Sequence, residues 1–429
     1  MNVEIVNTGS ELMLGRVLNT HQQWLCRRLA DLGYVVTRQV AIADNGREIQ
    51  TAVREALSRA DLVITTGGLG PTSDDITREL VAELLGLKLV QSQDVLRHID
   101  NFFAKRGRPR PQKTDVETFV PEGARVFLNE TGTAPGLAIP VMAKSFRGED
   151  KTETPAGLNQ WLIMLPGPPR ELRPMFDHSV VPLLNAEFSA ENFVCRTWRS
   201  TGIGESRVQE MVEAGLDPFV KRGLEVGYCA RPGAVDVRLT ASGTEADDLV
   251  HSAGTVVQSI LGQHIFGVDD DEIENVVVRL LAEQKKSVAL AESCTGGNIA
   301  HRLTNVPGAS AVFFGGVVSY SNFAKEDLLG VSEVTLRENG AVSEAVAREM
   351  AQGARARFQS DYALAVTGIA GPGGGTPDKP VGTVFIALAS VDGVTVDRML
   401  NPWDRATFKE VTATQAMERL RRRLESSKT

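Results

Sequence analysis

The chain is expected to fold as a multidomain α/β protein, with two α/β domains flanking a small α+β module. Three observations carry this expectation. At 429 residues it exceeds what one ordinary core holds. Short apolar strands alternate with helix-like segments in the first and last parts of the chain, while the middle is hairpin-like. Several strands end in glycine-rich loops, which in open α/β sheets gather at one carboxyl edge.

The first block covers residues 1–188. Its expected strands are 3–8, 61–66, 124–129, 136–141 and 161–166, with helices over 20–33 and 47–60. The polar stretch 143–160 interrupts the last two strands and reads as an exposed loop. The second block, 189–268, reads as strand 192–200, helix 204–215, a hairpin of 224–230 and 234–242 around Pro232-Gly233, and helix 244–262. Acidic "DDDE" at 269–272 marks the next junction. The third block, 269–429, returns to α/β alternation. Its strands are 287–291, 311–320, 361–368 and 382–391, and its helices are 343–358 and 407–424. Arg421, Arg422 and Arg423 close the last helix and are expected to form a solvated face suited to the negative end of the helix dipole.

Composition bounds the function. Hydrophobic residues at 42% and charged residues at 23% describe a globular protein. A net charge of −8 argues against nucleic acid as the main partner. An RNA-binding KH loop needs G-x-x-G in a basic setting, and "TGIGES" offers only Gly202-x-Gly204. No apolar run is long enough for a membrane span, and the N-terminus reads as a strand rather than a signal peptide. Four dispersed cysteines without a C-x-x-C pair point away from zinc and disulfide scaffolds. A reduced, cytoplasmic protein is the expectation.

Two glycine loops stand out. In "TTGGLGPTSDDIT" (65–77), Gly67, Gly68 and Gly70 open a loop before a helix expected to begin near Asp74. Glycines there let backbone amides approach an anion. Asp74 and Asp75 are either N-terminal helix carboxylates or holders of a divalent cation. "NTGSELMLG" and "LPGPPREL" end two further strands, so three loops could converge on one crevice. In the third block, "AVTGIAGPGGG" gives a comparable loop, which reads as an anion cradle or as a simple turn.

"AESCTGG" (291–297) places Ser293, Cys294 and Thr295 at a strand-to-helix corner. None of the six histidines forms an evident triad with Ser293, and the G-x-S-x-G elbow and S-x-x-K motifs are absent. Lys325, in "VVSYSNFAK", follows a strand that could lie beside 287–291, and a desolvated lysine can act as a base. Cys294 would point the opposite way from Ser293, and Thr295 would suit a ligand contact.

"TTGGLGPTSDDIT", "NETGTAPG", "LPGPPREL", "AESCTGG", "GGVVSYSNFAK", "GAVSEAVA" and "VTGIAGPGG…KPVGTV", in this order, resemble full-length members of the competence/damage-inducible CinA family. The resemblance implies a three-layer α/β N-terminal domain similar to molybdopterin-binding proteins, a KH-like middle domain and a C-terminal deamidase domain. The deamidase converts nicotinamide mononucleotide (NMN) to nicotinic acid mononucleotide and ammonia, without a cofactor. Carried over by motif, Ser293 is the nucleophile, Lys325 the base, and Tyr320 a member of the same site. Thr295, Gly296, Gly297, Thr367, Gly371, Gly373, Gly374 and Arg405 would bind substrate. In the N-terminal domain, Ser10, Glu11, Gly67, Gly68, Gly70 and Thr72 would bind ADP-ribose, and Asp74 and Asp75 a divalent metal for pyrophosphate hydrolysis. A homodimer is implied. The chain departs from the family pattern at His21, at the long 143–160 stretch and at "NPWDR". A non-catalytic ligand-binding role in competence or cofactor handling is the reading from a different class.

Overall fold

A computed structural model describes residues 1–142, 146, 160–190 and 192–426. The chain divides into two compact units, Met1–Val194 with Ser242–Thr244, and Cys195–Ala241 with Glu245–Thr429. Among the described residues, no helix is long and apolar enough to cross a membrane. The expected loop at 143–160 lies almost wholly outside the described residues.

In the first unit, β1 (Val3–Thr8), β2 (Val36–Ile42), β3 (Leu62–Thr66), β6 (Arg125–Phe127), β7 (Gly136–Val141) and β8 (Gln160–Leu165) form a sheet ordered β2-β1-β3-β8-β7-β6. A separate pair joins β4 (Leu89–Gln91) to β5 (Phe119–Pro121). β2, β1, β3 and β8 run parallel, and β7 and β6 add antiparallel edges. The central strands β1, β3 and β8 are buried on both faces, as continuous apolar runs require. One face packs Ile5, Ile64 and Ile163 beneath Leu25 and Leu172; the other packs Val6, Val63 and Leu162 against Ile49 and Val53. Each such side chain contributes roughly 1.5–3 kcal/mol by leaving water. The sheet therefore sits between two helical layers.

The second unit holds both remaining blocks. β9 (Phe193–Thr201), β10 (Glu225–Arg231), β11 (Ala234–Ser242) and β12 (Ile265–Val268) form a sheet ordered β10-β11-β9-β12, with helices Glu205–Val220 and Ala246–Leu261. The last block forms a five-stranded sheet of β13 (Val288–Glu292), β14 (Phe313–Val318), β15 (Tyr362–Gly368), β16 (Thr383–Ser390) and β17 (Gly393–Leu400), ordered β14-β13-β15-β16-β17. β14, β13 and β15 are parallel, and β16 and β17 antiparallel. β13 lies between two parallel neighbours, so the residue after it emerges at the carboxyl edge of the sheet.

Of the three arginines at the end of the last helix, Arg405–Ser426, Arg422 and Arg423 reach solvent, but Arg421 does not. Arg421 is only 1% exposed and donates to Glu418 (Nε, 2.6 Å), Glu425 (Nη1, 2.6 Å) and the Gln263 carbonyl (Nη2, 2.7 Å). Counting charges along the helix missed that one of three consecutive positions must face the core.

Candidate functional site

Ser293 leaves the end of β13 with its amide donated to the Val366 carbonyl of β15 (3.0 Å). On the other side of β13, the Ser319 amide donates to the Glu292 carbonyl (2.8 Å). These two bonds pin the residues that follow β13 and β14 side by side. The helix Asn322–Leu329 starts where the Ser321 hydroxyl accepts from Ala324 N, and its first turn aims Lys325 back at the strand ends.

Lys325 is 1% exposed, and its Nζ donates to Ser293 Oγ (3.1 Å) and to the Ser319 carbonyl (2.7 Å). Desolvation lowers its pKa from the ordinary lysine value, with the Cys294 thiol opposing. Burial of this kind favours the neutral form of an amine, which is the form that can accept a hydroxyl proton. Cys294 sits in the core beneath, and burial pushes its thiol up to about 12, so it is no thiolate near neutrality.

The turn after Ser293 requires glycine, because Gly296 (φ 62°) and Gly297 (φ 94°) are both left-handed. Their amides are already engaged: Gly296 N donates to the Ser293 carbonyl (3.1 Å), and Gly297 N to Glu292 Oε2 (3.0 Å). Glu292 also accepts from Ile299 N (3.2 Å) and Ala300 N (2.8 Å), closing the start of the helix Asn298–Thr304. An oxyanion site using Gly297 N would have to displace Glu292. The Thr295 and Ser319 hydroxyls are fully buried without a hydrogen-bond partner among the described residues.

Tyr320, 63% exposed, accepts through its hydroxyl from Arg405 Nη2 (2.7 Å), and Arg405 Nη1 donates to the Gly371 carbonyl (3.1 Å). The structure thus joins Tyr320, Arg405 and the Gly371 loop. Gly373 and Gly374 lie further along that loop and are exposed. Thr367 is buried, and its hydroxyl is spent on the Ala341 carbonyl (2.7 Å), so as a substrate donor it would first have to give up that bond.

In the first unit, the three loops after β1, β3 and β8 converge as their parallel register demands: Asn7 is opposite Thr66, and Thr66 opposite Leu165. They line a cavity of about 480 Å³ that includes Glu11, Gly67, Gly68, Gly70, Asp74 and Asp75. Ser10 instead exchanges bonds with Asp44, through its amide (2.8 Å) and its hydroxyl (3.2 Å). The helix begins at Thr77, not near Asp74. Asp75 Oδ2 accepts from Thr72 N (3.0 Å) and from the Thr72 hydroxyl, stapling the loop. Gly68 (φ 68°) approaches Thr77 so closely that a Cβ would lie 2.0 Å from its hydroxyl.

Among the residues lining this cavity that the sequence did not single out are Asp44, Phe102 and Glu117, whereas Glu171 belongs to the "LPGPPREL" loop. Glu117 is fully buried, with Oε1 accepting from the Thr133 hydroxyl (3.0 Å) and Oε2 without a partner among the described residues. Burial raises its pKa to about 7. No glycine or charge pattern marks Phe102 or Glu117, because the fold alone brings them beside the loops that carry Asp75 and Glu171. Among the described residues, no three His, Cys, Asp or Glu side chains converge as a metal cage. Asp74 and Asp75 could at most hold a cation of the kind bound by one or two carboxylates and completed by phosphate oxygens.

Comparison with known proteins covers the whole chain. Residues 4–186 match the family model described as a probable molybdopterin binding domain, 195–267 that of the damage-inducible protein CinA KH domain, and 270–424 that of the CinA C-terminal domain. A protein of Caldicellulosiruptor bescii named for competence-damage induction is 44% identical over 99% of both chains. A CinA-like protein of Akkermansia muciniphila is 43% identical over 97% of this chain and 96% of its own. The crystal structure of the competence/damage inducible protein CihA from Agrobacterium tumefaciens shares 41% identity, with a TM-score of 0.34, over 36% of this chain and 97% of its own.

Proposed function

Since the chain belongs to the CinA family, we propose that its C-terminal domain is an amidohydrolase that converts NMN to nicotinic acid mononucleotide and ammonia. The observation that carries this reading is the Lys325 amine, buried and 3.1 Å from Ser293 Oγ. Neutral Lys325 takes the Ser293 proton as Oγ attacks the carboxamide carbon. The resulting ammonium returns a proton to the departing nitrogen, ammonia leaves, and an acyl-serine ester remains. Water then adds to the ester with Lys325 again accepting the proton, and Ser293 is released with the carboxylic acid. No metal is needed for this sequence of proton transfers. Release of ammonia from NMN by the purified protein, absent in Ser293→Ala, tests it; equal rates in the two proteins would end the assignment.

A second reading concerns the N-terminal crevice, where glycine loops and carboxylates share one cavity. It is a metal-dependent hydrolase of ADP-ribose. Asp74 and Asp75 would hold the cation, which when bound would neutralise the pyrophosphate. The chain's own part is to present the Gly68 and Gly70 amides to the phosphates. AMP formation from ADP-ribose that disappears with chelator, while NMN turnover persists, is the expected result. The absence of AMP with every divalent metal tried would reduce this crevice to a binding site.

A further inference from the structure

The motif "NETGTAPG" (129–136) is the turn between β6 and β7, and its residues 131–134 form a fourth wall of the N-terminal cavity. Asn129 shapes this turn from the inside. It accepts through Oδ1 from Thr131 N (3.1 Å) and Gly132 N (2.8 Å), and donates through Nδ2 to the Ala134 carbonyl (2.9 Å) and Glu171 Oε2 (2.8 Å). Gly132 passes so close to Glu171 that a Cβ there would lie 2.4 Å from Oε2. The turn is therefore fixed from below, and it holds Thr133 partly exposed at the cavity wall. Behind Thr133 stands Glu117, on the short helix Gln112–Thr118, with Oε1 accepting from the Thr133 hydroxyl (3.0 Å).

Glu117 differs from the other carboxylates of the cavity. Asp44 accepts from Ser10 N, Asp75 from Thr72 N and the Thr72 hydroxyl, and Glu171 from Asn129. Asp74 is exposed, and the Thr72 hydroxyl holds its carboxyl below the ordinary value, which makes it a poor proton acceptor. Glu117 is fully buried, and burial raises its pKa to about 7 against the opposing pull of the Thr133 hydroxyl and Arg78. Asp75 and Glu171 push in the same direction as burial, acting through their charge. A carboxyl group that titrates near neutrality is both sufficiently ionised and sufficiently basic to take a proton there.

We propose that Thr133 and Glu117 are the proton-accepting pair of the N-terminal crevice, through which the water that attacks a phosphoanhydride loses its proton. The proposal rests on the reading of this crevice as an ADP-ribose hydrolase. As the water oxygen bonds to phosphorus, its proton passes to Thr133 Oγ1 while the Thr133 hydroxyl proton passes to Glu117 Oε1. The bond from phosphorus to the bridging oxygen breaks, and its electron pair stays on the leaving phosphate. AMP and ribose 5-phosphate depart, and Glu117 returns its proton to solvent through Thr133. Thr133 touches the reacting water and is the catalytic residue; Glu117 acts through it.

The test follows AMP formation from ADP-ribose with Mg2+ or Mn2+ from about pH 5 to pH 9 in wild type, Glu117→Gln, Thr133→Val and Thr133→Ser. Wild-type kcat is expected to rise through about 7 and then level off. Glu117→Gln and Thr133→Val should each lower kcat about 100-fold with KM little changed, and lose that rise. Thr133→Ser should keep most of both. In the metal-free protein, infrared spectra should show a protonated carboxyl band that titrates near the same pH and is missing in Glu117→Gln. In Thr133→Val the band should titrate at higher pH, because the hydroxyl that favours the carboxylate is gone. A wild-type rate and pH profile in Glu117→Gln, or a loss confined to KM, overturns the pair and leaves the ADP-ribose reading standing. A wild type that makes no AMP with either metal ends that reading and the pair with it.

Discussion

Lys325 Nζ lies 3.1 Å from Ser293 Oγ and 2.7 Å from the Ser319 carbonyl, in a site that leaves the lysine 1% exposed. The amine is held by two neutral acceptors, with no carboxylate partner among the described residues, and burial lowers its pKa.

Lys325→Met should therefore separate activity from stability. Loss of the base is expected to lower kcat for NMN by at least about 100-fold. Stability should be unchanged or rise by about 1 kcal/mol, because an apolar chain of similar length replaces a desolvated amine. Urea unfolding at neutral pH together with ammonia release measures both.

The pH dependence of the wild type follows from the same group. Its folded pKa is below the ordinary lysine value of 10.5, so between the two the unfolded chain binds the extra proton. Stability should rise with pH through that window and lose this dependence in Lys325→Met. In the same direction, kcat/KM should increase as pH climbs through the lowered pKa and the neutral amine accumulates.

Glu117 predicts the opposite slope in the N-terminal unit. With its pKa raised from 4.5 to about 7, the folded state binds the proton in that interval and stability falls as pH rises through it. Glu117→Gln should flatten the curve and, at pH 8, stabilise the unit by up to roughly 3 kcal/mol. Thermal melts from pH 4 to pH 8, followed by a probe in the first unit, check this.

Arg405→Lys should not be a mild change. The planar fork that spans the Tyr320 hydroxyl and the Gly371 carbonyl would be lost. A fall in kcat/KM of roughly 10- to 100-fold is expected from steady-state kinetics with NMN, and Tyr320→Phe should produce a smaller loss, because Arg405 keeps its bond to Gly371.

Arg421→Met should cost about 3 kcal/mol in urea unfolding. The change leaves Glu418 buried with Arg422 as its remaining partner, and frees the Gln263 carbonyl. Arg423→Met is the reference on the same helix. Its guanidinium pairs with exposed Asp392 at the surface, so the change should cost well under about 1 kcal/mol.

By itself the sequence determined the buried strands and the motifs that end them. Runs such as "VEIVNT" and "DYALAVTG" have no polar face to hide, so their pattern is legible without knowing their neighbours. It left out the three-residue strands β4 and β5 and the edge strands β2, β12 and β17, which are too short or too solvent-facing to carry a continuous apolar signal. "AESCTGG" and "YSNFAK" were visible as candidate partners, but only parallel pairing of β13 with β14 brings Ser293 and Lys325 together across 32 residues. Protonation states, too, belong to the tertiary structure: a lysine or a glutamate has its ordinary pKa until the fold takes away its water.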